Sequence, residues 1–325
     1  VRIVITGSLA HDYIMSFPGY FKDHILPEKA HALSVSFLVD SMKRMRGGVA
    51  GNIAYTLALL GERPLVVGAA GQDFGEYRTW MESHGIDTSG IAEIENEFTA
   101  SCFINTDRAN NQIVALYTGA MAYSRQLSIE GRGLSRGDLA VVSPSDPEAM
   151  GRVVQESRKL GLRYIFDPGK QMPRLERAQI LDGLTDAYLL IANDYELAMI
   201  AQKIGRTEEQ VIAAAPICVV TRGERGSTFY SGHGRERTEI PIAPVSDVRD
   251  PTGAGDAYLA GVAFGIVRRL SWPATGRIAA LAAAYAIEQR GCQEHHFTPA
   301  EFGQRFATAF GHSAEVERAL TSPRA

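Results

Sequence analysis

From Leu139 onward the chain alternates short apolar runs with longer amphipathic ones. Leu139–Val142 reads as a strand, Pro147–Leu160 as a helix, Arg163–Phe166 and 187–192 as strands, Asp194–Ile204 as a helix, and Ile217–Thr221 and 227–230 as strands. A strand–helix–strand beat of this kind buries its apolar faces only as a parallel sheet sandwiched by helices. The β-branched run 1–6 and the run 65–67 extend the beat towards the N-terminus. Ligands of such sheets gather past the carboxyl ends of strands, where Ser8 and Asp12 follow the first run. Asp12 reads equally well as a loop or cap residue.

Two stretches break the beat. Residues 31–39 alternate, with Leu33, Val35, Phe37 and Val39 on one face, and predict a half-exposed strand. Runs 98–105 and Gln112–Tyr117 flank a polar turn and predict a hairpin. Together they imply a small sheet off the main body, usable as a lid or as the edge of a homodimer.

The chemistry is expected at Asp250-Pro251-Thr252-Gly253-Ala254-Gly255-Asp256, which opens a small-residue helix from Ala257 to about Arg268. Gly253 and Gly255 let the backbone turn its amides inward, and a helix N-terminus adds free N–H groups and a positive dipole end. That is an anion hole, to which Ala254 also contributes an amide. Asp256 puts a carboxylate beside it, able to take a proton from an attacking hydroxyl as a phosphoryl group arrives. A plain capped helix start is the simpler alternative.

Further glycine-led stretches follow the same logic. Gly47-Gly48-Val49-Ala50-Gly51-Asn52 opens another helix and marks close backbone approach to a ligand. Asn193 and Glu196 stand one helical turn apart past a strand, able to hold the water shell of Mg²⁺ or simply to cap the helix. Thr221, Gly223 and Gly226 form a tight turn that suits a nucleotide phosphate or ribose, or a hairpin alone.

Several classes are excluded. The glycine spacing is not that of a dinucleotide fold, and no Gly-x4-Gly-Lys-Ser/Thr occurs, so nicotinamide enzymes and ordinary P-loops are set aside. With 33 Lys+Arg against 37 Asp+Glu and no long basic run, no nucleic-acid surface is indicated. Three scattered cysteines build neither a disulfide framework nor a zinc site. The longest apolar stretch, 278–287, is too short for a membrane span and reads as a buried helix, and the first residues lack a signal-peptide pattern, so a cytoplasmic protein is expected.

The four motifs in order, Gly-Gly-x-x-x-Asn, Asn-x-x-Glu, Thr-x-Gly-x-x-Gly and Gly-Ala-Gly-Asp, resemble the ribokinase (PfkB-type carbohydrate kinase) family over roughly residues 2–311. Within it, the segments around Asp12, Gly48, Asp167 to Gln171 and Asn193 look most like bacterial adenosine kinases. The resemblance implies a ribokinase-like three-layer α/β/α sandwich with a mainly parallel central sheet and a small β-sheet lid. Residues 1–11, 47–95 and 120–312 would form the large domain, 12–46 and 96–119 the lid, and 313–325 a tail. It further implies phosphorylation of the adenosine 5′-hydroxyl to give AMP, a purine-salvage reaction, with ATP as donor, Mg²⁺ as cofactor and Asp256 as base. Asp12, Gly48 and Asn52 would grip ribose hydroxyls, with Gly47 alongside. Ser8 and Ser36 would line the nucleoside pocket, Phe103 would stack on the base from the lid, and Gln171 would lie near it. Asn193, Thr221, Gly223 and Gly226 would hold ATP, Glu196 would meet Mg²⁺ through water, and Asp250 would meet a monovalent cation such as K⁺. The chain departs from the family pattern at Pro251, Thr118 and Ser143-Pro144-Ser145. A sugar kinase acting on ribose or fructose, and a non-catalytic nucleoside or sugar sensor, are the competing readings.

Overall fold

The strand–helix beat resolves into two sheets in the computed structural model, which describes residues 1–25, 34–109 and 111–322. The first half of the chain runs β1 (Ile3–Thr6), β2 (Ala10–Ser16), β3 (Ser41–Gly47), α1 (Val49–Leu59), β4 (Leu65–Gly71), α2 (Gly75–Ser83), β5 (Asp87–Ile94), β6 (Ala100–Thr106) and β7 (Gln112–Tyr117). The second runs β8 (Leu139–Val142), α3 (Pro147–Leu160), β9 (Arg163–Phe166), α4 (Arg177–Leu184), β10 (Leu189–Asn193), α5 (Asp194–Ile204), α6 (Glu208–Ile212), β11 (Ile217–Thr221), β12 (Ser227–Ser231) and β13 (Glu236–Ile240). Four helices follow, α7 (Ala254–Val267), α8 (Trp272–Ile287), α9 (Pro299–Phe310) and α10 (Ala314–Thr321).

The large sheet has nine strands in the order β13-β12-β11-β10-β9-β8-β1-β4-β5. It is parallel from β11 to β5, and only β12 and β13 join antiparallel. Alternation along β1 sends Ile3 and Ile5 into the apolar layer that includes α1, α7 and α8, and Val4 into the opposite layer with α3, α4 and α5. Each such side chain, fully buried, stabilises the fold by about 1.5–3 kcal/mol. Small residues let α7 and α8 meet at backbone distance: a Cβ on Gly261 would fall 2.4 Å from Ala279 Cα, and one on Gly265 would fall 2.3 Å from Thr275 Oγ1. That packing seats the N-terminus of α7 at the carboxyl edge of the sheet. The body is thus an α/β/α sandwich around a mainly parallel sheet.

The smaller sheet has the order β3-β2-β6-β7, and the hairpin read from sequence is its β6–β7 pair. The alternating stretch at 31–39 is corrected: 31–33 lie outside the described residues, and 34–39 carry no strand. Phe37 instead joins an aromatic cluster, 5.1 Å from the Phe17 ring and 4.8 Å from Phe21. The lid strand is β3, immediately after. β2 had been read as loop, and begins at Ala10. The C-terminal tail also holds α10, whose Val316 and Ala319 are buried against the body. Among the described residues no helix is long and apolar enough to cross a membrane.

Candidate active site

Gly253 is the N-cap of α7, with φ of 82°, in the left-handed region that favours glycine. A Cβ there would also sit 3.0 Å from Cys292 Cβ, so glycine is required by both conformation and space. Beyond it, the N–H of Ala254 turns back to Pro251 O at 3.3 Å, whereas those of Gly255 and Asp256 meet no backbone acceptor. Gly253, Gly255 and Asp256 line a cavity of about 340 Å³. Ala254 is absent from that lining, while Gly253 and Gly255 both belong to it.

Asp256 is the carboxylate on that cavity's floor. Asn52 Nδ2 donates to its Oδ2 at 2.7 Å. Burial lifts its pKa to about 6, opposed by the Asn52 hydrogen bond and the Lys170 ammonium and reinforced by the negative charge of Asp12. Asp12, on β2, is likewise raised to about 6, by burial first, with Lys170 opposing and Asp250 adding to it. Two carboxylates and one lysine thus share a single electrostatic environment.

At the far end of the cavity, Asn193 and Thr221 are register partners at the ends of β10 and β11. The Asn-x-x-Glu pair forms a capping box: Glu196 N–H donates to Asn193 Oδ1 at 2.8 Å, and Asn193 N–H donates to Glu196 Oε2 at 2.9 Å. Both residues also line the cavity, so the capping box stands at its wall. Asp167 joins them there, its carboxyl pushed well above the usual range by burial and then by the charges of Glu196 and Asp256. Among the described residues no three acidic, His or Cys side chains are arranged to hold a metal directly. Carboxylates gathered beside this cavity fit a cation held through water and phosphate oxygens, as Mg²⁺ usually is. Gly223 and Gly226 lie outside the cavity lining. Gly226 is a packing glycine, since a Cβ would fall 2.2 Å from Ile240 O.

Gly48, with φ of 87°, has no room for a Cβ, which would fall 2.6 Å from both Ala10 N and Ser8 O. A Cβ on Gly47 would fall 2.4 Å from Asp12 Oδ2, so the Asp12 carboxylate rests against that glycine. Ser8 is a helix cap: its Oγ accepts from Val49 N–H at 3.1 Å. Ser36 is exposed, in a segment without regular structure, and is not brought to the cavity. Phe103 is a correction. Asp12 pairs with Cys102 and Tyr13 with Phe103, so strand alternation turns Phe103 to the face opposite Asp12. Gln171 lies in a short turn, its side-chain oxygen buried without a partner among the described residues, and does not line the cavity.

Comparison with known proteins is decisive for the family: the pattern of the pfkB family carbohydrate kinases matches residues 14–299. The chain belongs to the pfkB carbohydrate kinase family. Similar solved structures include a nucleoside kinase from Burkholderia thailandensis in complex with inosine, 35% identical, covering 96% of this chain and 99% of that one, with a TM-score of 0.84. A nucleoside kinase of Methanocaldococcus jannaschii is 25% identical over 95% of this chain and 99% of its own, with a TM-score of 0.85. A nucleoside kinase from Methanothermobacter thermautotrophicus is 29% identical over 317 residues, 97% of this chain and 98% of that one.

In this pfkB-family kinase Asp167 and Lys170, given no role of their own within the segment 167–171, both line the cavity, and the Lys170 charge acts on both Asp12 and Asp256. The Asp250 oxygens accept from Thr252 N–H at 2.9 Å and Gly291 N–H at 3.1 Å, so the carboxylate holds the loop to the turn after α8. That turn meets the lid as well, since a Cβ on Gly291 would fall 2.1 Å from Met45 Cε. The departures are absorbed structurally: Ser143 Oγ donates to Thr6 O at 2.7 Å, and Pro144 O accepts from Ser8 N–H at 2.9 Å.

Proposed function

We propose that this kinase transfers the γ-phosphoryl group of ATP to the 5′-hydroxyl of a purine nucleoside, adenosine in the first instance. The observation that carries the reading is Asp256, a carboxylate with a pKa near 6 placed one residue past the free N–H of Gly255. The hydroxyl proton passes to the Asp256 carboxylate as the new P–O bond forms and the bond from the γ-phosphorus to the bridging oxygen breaks, releasing ADP. The amides of Gly255 and Asp256 and the Lys170 ammonium stabilise the equatorial oxygens as charge develops. Glu196 and Asp167 would hold Mg²⁺ through water, and the ion would neutralise the phosphate chain. Asp12, Gly47 and Gly48 would bind the ribose hydroxyls. Asn193 and Thr221 would lie along the donor phosphates.

Nucleoside as acceptor is supported by the kinases this chain resembles, one of which was solved with inosine. The turned-away Phe103 favours a second reading, a kinase of free sugars, because the β6 residue beside Asp12 is Cys102 and not an aromatic ring. The retained glycines and base argue against a non-catalytic sensor. The test is ADP release with ATP and Mg²⁺ against adenosine, inosine, guanosine, ribose and fructose, with and without K⁺. Turnover on nucleosides at micromolar concentration is expected. Turnover on free sugars alone would replace the nucleoside reading, and Asp256→Asn with undiminished turnover would remove the base. The homodimer proposal rests on β7, exposed along its whole length at the lid edge, and is tested by the molecular mass in solution.

A further inference from the structure

We infer that Gln293 is a positioning residue for catalysis, which sets the Asn52 amide towards Asp256 and ties that pair through Tyr77 to the lid hinge at Gly47. The inference rests on the proposed role of Asp256 as base.

The contacts form one continuous chain. Gln293 Nε2 donates to Asn52 Oδ1 at 2.7 Å and also to the Tyr77 hydroxyl, Asn52 Nδ2 donates to Asp256 Oδ2 at 2.7 Å, and the Tyr77 hydroxyl donates to Gly47 O at 3.0 Å. Asn52, Gln293 and Tyr77 are 5%, 2% and 1% exposed, so water does not compete for these bonds.

The direction of every bond is dictated by its ends. An ionised Asp256 and the Gly47 carbonyl can only accept, so some group between them must donate both ways. An NH₂ group does this and a hydroxyl, with one proton, does not. Gln293 supplies it. With its nitrogen facing Asn52 Oδ1, the Asn52 amide is left with only its NH₂ end for Asp256; flipped, its oxygen would face the carboxylate. The spare Gln293 oxygen is buried without a partner among the described residues, which is unfavourable in itself and is offset by the two bonds its nitrogen makes.

Two glycines make room for the chain. A Cβ on Gly51 would fall 2.1 Å from the Tyr77 hydroxyl oxygen and 3.0 Å from Gln293 Nε2. Gly47 is the last residue of β3 and precedes the left-handed Gly48, so it stands where the lid joins the body. Its carbonyl accepts the Tyr77 hydrogen bond while its Cα lies against Asp12, and the acceptor site and the base are joined through one hinge residue.

The experiment compares Gln293→Leu, the near-isosteric Gln293→Glu and Tyr77→Phe with the parent enzyme in kcat, both KM values, the pH profile and the melting temperature, with Asp256→Asn as control. Besides Asn52, the groups acting on Asp256 or responding to it are Lys170, Asp12, Asp167 and Cys292. All of these remain in the variants. Gln293→Leu and Gln293→Glu should lower kcat about 10- to 100-fold, leave the ATP KM within about twofold, and move the acid limb to higher pH, because Asn52 no longer donates reliably to the ionised base. Tyr77→Phe should raise the acceptor KM more than it lowers kcat. If either folded Gln293 variant keeps the parent kcat and acid limb while Asp256→Asn is inactive, the positioning role is overturned and the base stands. If Asp256→Asn keeps its turnover, the base reading falls and the inference falls with it.

Discussion

Phe103 stacks on Tyr13, ring centroids 4.8 Å apart and planes 12° from parallel, on the lid face that looks away from Asp12. A ring stacked on the base would add about 1–3 kcal/mol, worth roughly 5- to 150-fold in acceptor KM. Phe103→Ala is therefore expected to leave the adenosine KM within about twofold. Cys102 shares the Asp12 face, and Cys102→Trp should raise that KM more than about tenfold. Steady-state kinetics on the two variants decide it, and the opposite ranking would return Phe103 to the pocket.

The acid limb of kcat/KM should lie near pH 6, because Asp256 and Asp12 both carry raised pKa values of about 6 and both act as carboxylates. Activity falls as pH drops through that value, more steeply than the tenfold per unit of a single group. Lys170→Met removes the cation that holds both values down, so its limb should shift to higher pH and its kcat fall about 100-fold. A single-proton slope in the parent would leave only one of the two carboxylates in control.

Gly47→Ala places a methyl 2.4 Å from Asp12 Oδ2 and 2.9 Å from its Cγ. The carboxylate must move. The acceptor KM should rise about tenfold or more while the ATP KM stays within about twofold, measured by varying each substrate at saturating levels of the other. Equal effects on both substrates would place Asp12 outside the acceptor site.

His295 is buried, its pKa lowered to about 4 chiefly by desolvation and then by His296. The folded value lies below the unfolded one of 6.5, so the unfolded chain binds the proton first. The stability this contributes is complete above about pH 6.5 and is lost as pH falls to about 4, a change of about 3 kcal/mol. Urea unfolding between those pH values should show the loss, and His295→Gln should flatten it.

The residues that were legible in sequence are those whose role depends on local backbone. The turn at Gly253 and the cap at Asn193 are written in neighbouring residues, and so is the parallel core of β8 to β11, in continuous apolar runs. The lid was harder because its strands do not follow hydrophobic alternation. β2 places His11 and Asp12 side by side, and β3 reads Ser-Met-Lys-Arg-Met-Arg-Gly. One face of β3 is polar because Arg44 and Arg46, two residues apart, reach Glu76 and Glu294, with Arg46 also over the Trp80 ring at 4.2 Å, and Lys43 on the other face breaks the apolar pattern there. The apolar alternation at 33–39 misled because Phe37 packs in a local aromatic cluster. β5 was missed because Gly90 and polar residues interrupt it. Lys170, Asp167, Tyr77 and Gln293 join the site only through tertiary packing, and no spacing announces them.

The parallel pairing of β2 with β6 couples the order of assembly to the order of function. Ala10 lies beside Ala100, and between them the chain completes β3, α1, β4, α2 and β5. Contacts so distant in sequence close slowly, because their loop entropy must be overcome before pairing rewards it. Docking of the intervening βα units on the growing body is what brings the two strands within reach. All four lid strands are complete in the chain by Tyr117, before Asn193, Thr221 and Gly253 are reached, so a nascent chain carries the whole cover before it carries the far walls of the cavity beneath it.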